Sequence, residues 1–390
     1  MSKKEERKHA LLSASSAHRW LICTPSARLE ENFPDEGSEY AAEGSLAHAI
    51  AELKVRKYST VMTNQKYGRD MKKLEADPLY QAEMQRHTDY YLDYIKGQAM
   101  QYSTIPHIAA ETRLDLNGYV PEGFGTADCI IIGDNTLEVV DFKYGKGIPV
   151  SAENNPQMRL YALGALQRYA MLYPVATVRM TIIQPRIDNS NSSEMSVNDL
   201  LSWGESIKPI AAKAYNGVGE YIPGEHCRFC KAKATCRSRA NTYTALQDFG
   251  GELPPSLSDE EVGHILRVAG NLKQWVSDVE EYALKTLVAG GEIPGWKIVE
   301  GRSNRVINDV DACFKRLIAG GIQEEMLYER KPITLTAIEK MVGKQYVNDN
   351  LSDFIEKPQG KPTLAVAEDS RPAMQLHQTA AEDFGTTTKI

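Results

Sequence analysis

The stretch Gly125-Thr126-Ala127-Asp128-Cys129-Ile130-Ile131-Ile132-Gly133-Asp134-Asn135-Thr136-Leu137-Glu138-Val139-Val140-Asp141-Phe142-Lys143 decides how this chain folds. Two apolar, β-branched runs flank Asp134-Asn135. Both of those residue types tolerate the left-handed backbone of a two-residue turn, so the pattern predicts a β-hairpin. Counting outward from that turn sets Asp128 opposite Asp141. Directly opposed residues have Cβ atoms roughly 5 Å apart, which lets two carboxylates share one divalent cation. Lys143 lies two residues beyond Asp141 and so returns to the same face. There it offsets the repulsion between the acids and can position or deprotonate a water.

Those parts suit phosphodiester hydrolysis, in which a hard cation polarises the phosphate and a lysine stabilises the charge that develops. Asp and Lys also occur on strands as ordinary solvated charges. The triplet Asp141-Phe142-Lys143 therefore gains meaning only from what surrounds it.

Working outward, the pattern predicts helices over residues 13–32, 39–58 and 80–98, then strands over 108–116, 126–132 and 137–143. Pro156 marks the start of a helix carrying Gln157 to Arg168, followed by a strand over 176–184 and a helix over 197–215. This order gives an α/β fold with a central mixed sheet flanked by helices. The expected domains are residues 1–250, a mostly helical 251–357 and a flexible tail from 358 to 390. Within the second, helices are expected over 257–290, 309–319 and 334–342, with a short hairpin over 296–307.

The 390 residues are 42% hydrophobic, enough for a buried core, and the formal net charge is −7. That balance disfavours a protein that coats nucleic acid through bulk positive potential. The acidity is mostly C-terminal: residues 251–390 hold 22 acidic and 16 basic side chains, leaving 30 and 29 before them. The first residues are charged, and no long apolar run follows. The expectation is no signal peptide, no membrane span and a cytoplasmic location.

Six cysteines occur, and Cys227, Cys230 and Cys236 form a C-x2-C-x5-C knuckle. In a reducing compartment such a group reads first as a metal or iron-sulfur site rather than as disulfides. Three thiolates from one loop leave a fourth ligand to come from elsewhere. His226 is awkwardly adjacent. Cys129 and Cys313 read as small buried hydrophobes.

Taken in order, His48 in Gly-Ser-Leu-Ala-His, Asp128 in Gly-Thr-Ala-Asp, Asp141-Phe142-Lys143, and Gln157-Met158-Arg159-Leu160-Tyr161 resemble the motifs of RecB-like nucleases of the PD-(D/E)XK superfamily. The likeness extends to the iron-sulfur exonucleases associated with CRISPR adaptation and to an uncharacterised group of phage nucleases. It covers about residues 10 to 240. It implies a restriction-endonuclease-like core in which His48, Asp128, Asp141 and the Phe142 carbonyl hold Mg2+ or Mn2+. Lys143 would be the catalytic lysine, and Gln157 and Tyr161, four apart on one helical face, would orient it or touch the DNA backbone. Cys23 resembles the N-terminal cysteine that closes a [4Fe-4S] cluster with the C-terminal trio, zinc being the alternative metal.

The resemblance implies a DNA nuclease, expected to be an exonuclease processing ends in phage recombination or replication, in the host cytoplasm if phage-encoded. A single-strand DNA binding or annealing protein is the expected partner. Two other classes stay open: a DNA-binding protein that does not cleave, and an interaction module whose hairpin is only scaffold. Residues Trp296, Lys297, Arg302 and Arg305 read either as a DNA-guiding hairpin or as ordinary surface.

Overall fold

A computed structural model describes residues 10–34, 37, 39–244, 258–299, 307, 309–320, 322–328 and 334–355. The expected 358–390 tail lies outside the described residues. The chain divides into two compact units, Met1–Thr286 and Leu287–Ile390. The boundary expected after residue 250 falls in a stretch, 245–257, that is also outside them.

The first unit is built on a five-stranded sheet in the order β1-β2-β3-β4-β5: His107–Asp115, Phe124–Gly133, Thr136–Phe142, Thr177–Gln184 and Asn189–Ser196. β3 and β4 run parallel and the other neighbours antiparallel, so the sheet is mixed. The hairpin forms in the expected register. Gly133 pairs with Thr136 and Cys129 with Val140, and Asp134 takes the left-handed turn conformation with φ 44°. The ladder ends at Cys129–Val140, and Asp128 and Asp141 are the next residues along the two strands.

Central strands buried on both faces read as continuous apolar runs, and β2 shows why. Ile130 and Ile132 face one core with Leu137, Val139 and Met180. Cys129 and Ile131 face the other with Val140, Phe142 and Ile183. The first core is covered by α6 (Pro156–Tyr169), α7 (Val197–Asn216) and an N-terminal segment. The second is covered by α3 (Glu39–Ser59), α4 (Asn64–Glu75) and α5 (Glu83–Ala99).

Three expectations change. The helix expected over 13–32 is broken into a 3-10 turn at Ala14–Ser16, α1 (Ala17–Trp20) and α2 (Ser26–Glu30). The break falls where Pro25 follows Thr24, since a proline disfavours helical backbone in the residue before it. α4, with Thr63 as its N-cap, was not foreseen. Nor was β5, whose sequence Asn-Ser-Asn-Ser-Ser-Glu-Met-Ser carries almost no apolar signal and is held by its ladder to β4.

α8 (Arg237–Thr244) and α9 (Asp259–Val288) complete the helical part after the cysteine knuckle. In the second unit lie α10 (Val310–Ala319), α11 (Leu335–Val342) and α12 (Lys344–Leu351). Trp296 to Val299 form no strand, and residues 300–306, including Arg302 and Arg305, lie outside the described residues. Among the described residues, no helix is long and apolar enough to cross a membrane.

Candidate metal centre and thiol cavity

Asp128 and Asp141 sit at the open end of the β2-β3 hairpin, where Asp141 meets Gln157 of α6 and Asp128 meets His48 of α3. The Asn155 side chain caps α6 by accepting from the Gln157 and Met158 N–H groups at 3.0 and 3.3 Å. Pro156 at the first helical position needs no such partner. This start aims Gln157 at the acids: its Nε2 donates to Asp141 Oδ1 at 3.1 Å and its Oε1 accepts from Lys143 Nζ at 3.2 Å. Lys143 Nζ also lies 3.0 Å from the buried Asp141 Oδ2, an ion pair without hydrogen-bond alignment.

His48 arrives from α3, its ring 5.4 Å from that of Phe142 and its Nδ1 3.3 Å from Asp128 Oδ1. Two ties hold α3 in place. Lys54 binds Asp89 of α5 at 2.6 Å. Arg186, buried beyond β4, reaches Glu43 of α3 at 2.9 Å and Glu83 of α5 at 2.7 Å while covering the Tyr144 ring. Phe142 enters the site through its N–H, which donates to Asp128 Oδ2 at 2.8 Å. Tyr161 is buried one helical turn beyond Gln157, its ring against the bare backbone of Gly125.

One member was missed by the sequence reading. Glu111 of β1 brings a carboxylate oxygen to His48 and Asp128, and the three donor atoms lie within 4.8 Å of one another. Cis ligands of a hard cation sit roughly 3 Å apart and trans ones about 4 Å, so this spacing needs little contraction to close on an ion. Asp141 is outside that tight group and is engaged instead by Lys143 and Gln157. Glu111 has φ 46°, and the β1-β2 ladder skips it between the Ala110–Cys129 and Thr112–Ala127 pairs. A left-handed non-glycine residue in mid-strand is strained, and such residues gather at functional sites.

The electrostatics follow from that crowding. Burial would lower the His48 pKa, but the Asp128 and Asp141 carboxylates outweigh it and raise it to about 9. Burial disfavours the charged Asp128, yet His48, Lys143 and the Phe142 N–H hold its pKa below the usual carboxylate value. Asp141 goes the other way: burial and the neighbouring Asp128 charge outweigh Lys143 and raise it. Lys143 is raised because the two aspartates overcome the cost of its burial. Glu111 is pushed up to about 7 by burial and by the Asp128 and Glu52 charges. Without a metal the three acids are balanced by two cations, His48 and Lys143, and a hard divalent cation would take the place of the His48 proton among them.

Cys23, Cys227, Cys230 and Cys236 all line a single small cavity of about 20 Å³, together with Arg19, Lys233 and Arg239. Cys23 belongs to the bend between α1 and α2. That bend is fastened to the segment that follows α7: Thr24 Oγ1 donates to the Val218 carbonyl at 2.6 Å, and Glu30 Oε1 accepts from the Lys231 N–H at 2.7 Å. Burial pushes the Cys23 and Cys227 thiols up and takes Cys230 to about 12. A buried thiol of that kind gives up its proton to solvent only when a metal ion binds the sulfur. His226 turns its Nε2 to the Ile222 carbonyl at 2.8 Å. Cys129 is fully buried in the second core, whereas Cys313 is only half-buried.

Among solved structures, one titled "Crystal structure of SSO0001" is 17% identical over 50% of this chain and 98% of its own, with a TM-score of 0.25. That superposition adds nothing to the fold described above. Residues 9–372 match the family described as "Protein of unknown function (DUF2800)", and the chain belongs to that family.

Proposed function

We propose that this chain is a divalent-metal-dependent DNA nuclease with a PD-(D/E)XK-type core, an exonuclease that trims DNA ends. The observation that carries the reading is the meeting of His48 and Glu111 with Asp128, beside the Asp141–Lys143–Gln157 cluster, at one end of the sheet. His48, Glu111, Asp128 and Asp141 would hold Mg2+ or Mn2+. When bound, such an ion polarises the phosphate and supplies a nucleophilic hydroxide. The chain's own part is positional. Gln157 fixes Lys143 from the helix side, and Lys143 offers an ammonium to the charge that builds on the phosphate oxygens. The attacking water gives its proton to solvent as its oxygen bonds to phosphorus, the P–O bond to the departing sugar breaks, and the leaving alkoxide takes a proton from a solvent water.

Cys23, Cys227, Cys230 and Cys236 would hold a [4Fe-4S] cluster with a structural role, joining the N-terminal bend to the segment that follows α7. The four-thiol donor set supports this reading, while the nearby Arg19, Lys233 and Arg239 are already paired with Glu30 and Asp278. Full-length protein purified without oxygen should be brown and contain iron. Stoichiometric zinc in a colourless protein would overturn the cluster assignment.

The catalytic assignment is tested by separating binding from cutting. Lys143→Ala should retain Mn2+ binding while cleavage of end-labelled DNA falls on the order of 100- to 1,000-fold. Equal cleavage by Lys143→Ala and the unaltered protein would sink the role given to the lysine.

A further inference from the structure

Beside the thiol cavity, and wholly within the first unit, lies a wider groove of about 730 Å³ lined by His18, Ile148, Arg228, Phe229, Asn271 and Gln274 among others. We propose that this groove seats a single-stranded stretch of nucleic acid, with one base stacked on Phe229, and so gives the proposed nuclease a single-strand-guiding surface.

Phe229 is 64% exposed. An exposed aromatic ring contributes little to a core, yet the backbone of this one is anchored. Arg19 Nη1 donates to the Phe229 carbonyl at 3.0 Å, and Arg19 is itself clamped by Glu30 at 2.6 Å. The His18 ring meets Phe229 edge-on with centroids 6.2 Å apart, and the Arg228 guanidinium lies 5.9 Å from its centroid. A fixed, solvent-facing ring flanked by an arginine is the platform on which unpaired bases stack, because every base offers a π face.

Charge points the same way. In a chain of net charge −7, residues 225–239 carry five Lys or Arg and a single Glu. Arg19 and Lys233, paired with Glu30 and Asp278, turn to the thiol cavity, Arg239, also paired with Asp278, borders both spaces, and Arg228 lines only the groove, whose wall also carries Glu225. The Arg228 charge therefore has no share in balancing the thiolates and faces the space a phosphate backbone would follow. Asn271 and Gln274 of α9 supply neutral donors and acceptors on the opposite wall.

The groove also leads toward the acids. Ile148 on its wall is five residues beyond Lys143, and five extended residues span at most about 18 Å. That distance is about three nucleotides of extended single strand, so the Ile148 wall of the groove lies within a few nucleotides of the acids.

This inference rests on the nuclease reading, and its test does not depend on cleavage. Full-length protein carrying Asp141→Asn, with no divalent metal added, would be titrated with a fluorescein-labelled oligothymidylate and with a blunt duplex of equal length. Phe229→Ala should weaken oligothymidylate binding on the order of ten-fold, and Phe229→Trp should restore it. Arg228→Ala should lower the slope of log affinity against log salt by about 0.7, the value for one phosphate contact on a single strand. Duplex affinity should change much less in all three.

Unchanged oligothymidylate binding in Phe229→Ala, failure of Phe229→Trp to restore it, or an equal loss for the duplex would overturn the proposal. So would capture of a protein segment by the groove in place of the oligonucleotide. Metal-dependent cleavage by the unaltered protein is scored separately, so the groove and the nuclease reading can fail independently.

Discussion

Replacing Glu111 by Gln should make the metal-free protein more stable and the metal-bound protein weaker, and the size of the first effect follows from the site. The Glu111 pKa is raised from 4.5 to about 7 by burial and neighbouring acids. A raised carboxyl pKa means that the folded state holds the proton more tightly than the unfolded chain. The resulting stability is fully present below 4.5 and is lost as pH climbs through about 7. Above that window the unaltered protein carries a strained anion, while the neutral glutamine never ionises.

At about 1.4 kcal/mol per pKa unit the difference at alkaline pH is roughly 3 kcal/mol. Solvent reaching a half-buried carboxyl reduces it to about 1–2 kcal/mol. For a unit of this size that is a rise in melting temperature of about 2–6 °C. Thermal unfolding followed by circular dichroism at about pH 8 should show the rise, and at about pH 4 it should vanish. Adding Mn2+ at about 100 times its dissociation constant stabilises the unaltered protein by roughly 2.7 kcal/mol, and Glu111→Gln by clearly less. A variant that melts lower at both pH values, or that gains as much from Mn2+ as its parent, would refute the reasoning.

Three further outcomes follow from buried charges and thiols elsewhere in the fold. Glu138 is fully buried, accepts from Tyr94 and Thr181 at 2.8 and 2.7 Å, and has its pKa raised by burial. Its contribution is therefore present below 4.5 and lost at higher pH. Glu138→Gln, which keeps the accepting oxygen, should flatten the decline of the urea midpoint with rising pH; an unchanged slope would count against this. Arg186→Met leaves Glu43 and Glu83 without their shared cation and should cost about 3 kcal/mol by denaturant titration. A loss below about 1 kcal/mol would show that the tie between α3 and α5 is only a surface pair. Cys23→Ser should lower bound metal and melting temperature together, while Cys129→Ser keeps the metal; metal retained in full by Cys23→Ser would remove it from the cavity's donor set.

The hairpin and its register were legible because turn residues and apolar runs act locally. Asp134-Asn135 selects a two-residue turn, and the side-chain period of two then fixes which residues share a face. His48 and Gln157 were legible only through the ordered motif, since a lone helical histidine or glutamine carries no signal by itself. Glu111 was not legible. It joins the site through an edge strand whose backbone turns left-handed at that residue, a conformation that no glutamate advertises in sequence. β5 escaped for a related reason: its alternating Asn and Ser residues gain strand geometry from pairing with β4, and intrinsic preference argues against it. The break at Thr24-Pro25 was visible in the sequence but lay inside a run of helix-forming residues, which hid the bend that carries Cys23.

His48, Glu111, Asp128, Asp141 and Lys143 are proposed to assemble a hydrolytic metal site. The most direct measurement is a time course of end-labelled DNA degradation by the full-length protein in Mn2+, run beside Asp141→Asn. The expected result is cleavage that needs the metal and falls by about three orders of magnitude or more in the variant. Equal cleavage by the two proteins, or none by the unaltered chain in either Mn2+ or Mg2+, would contradict it.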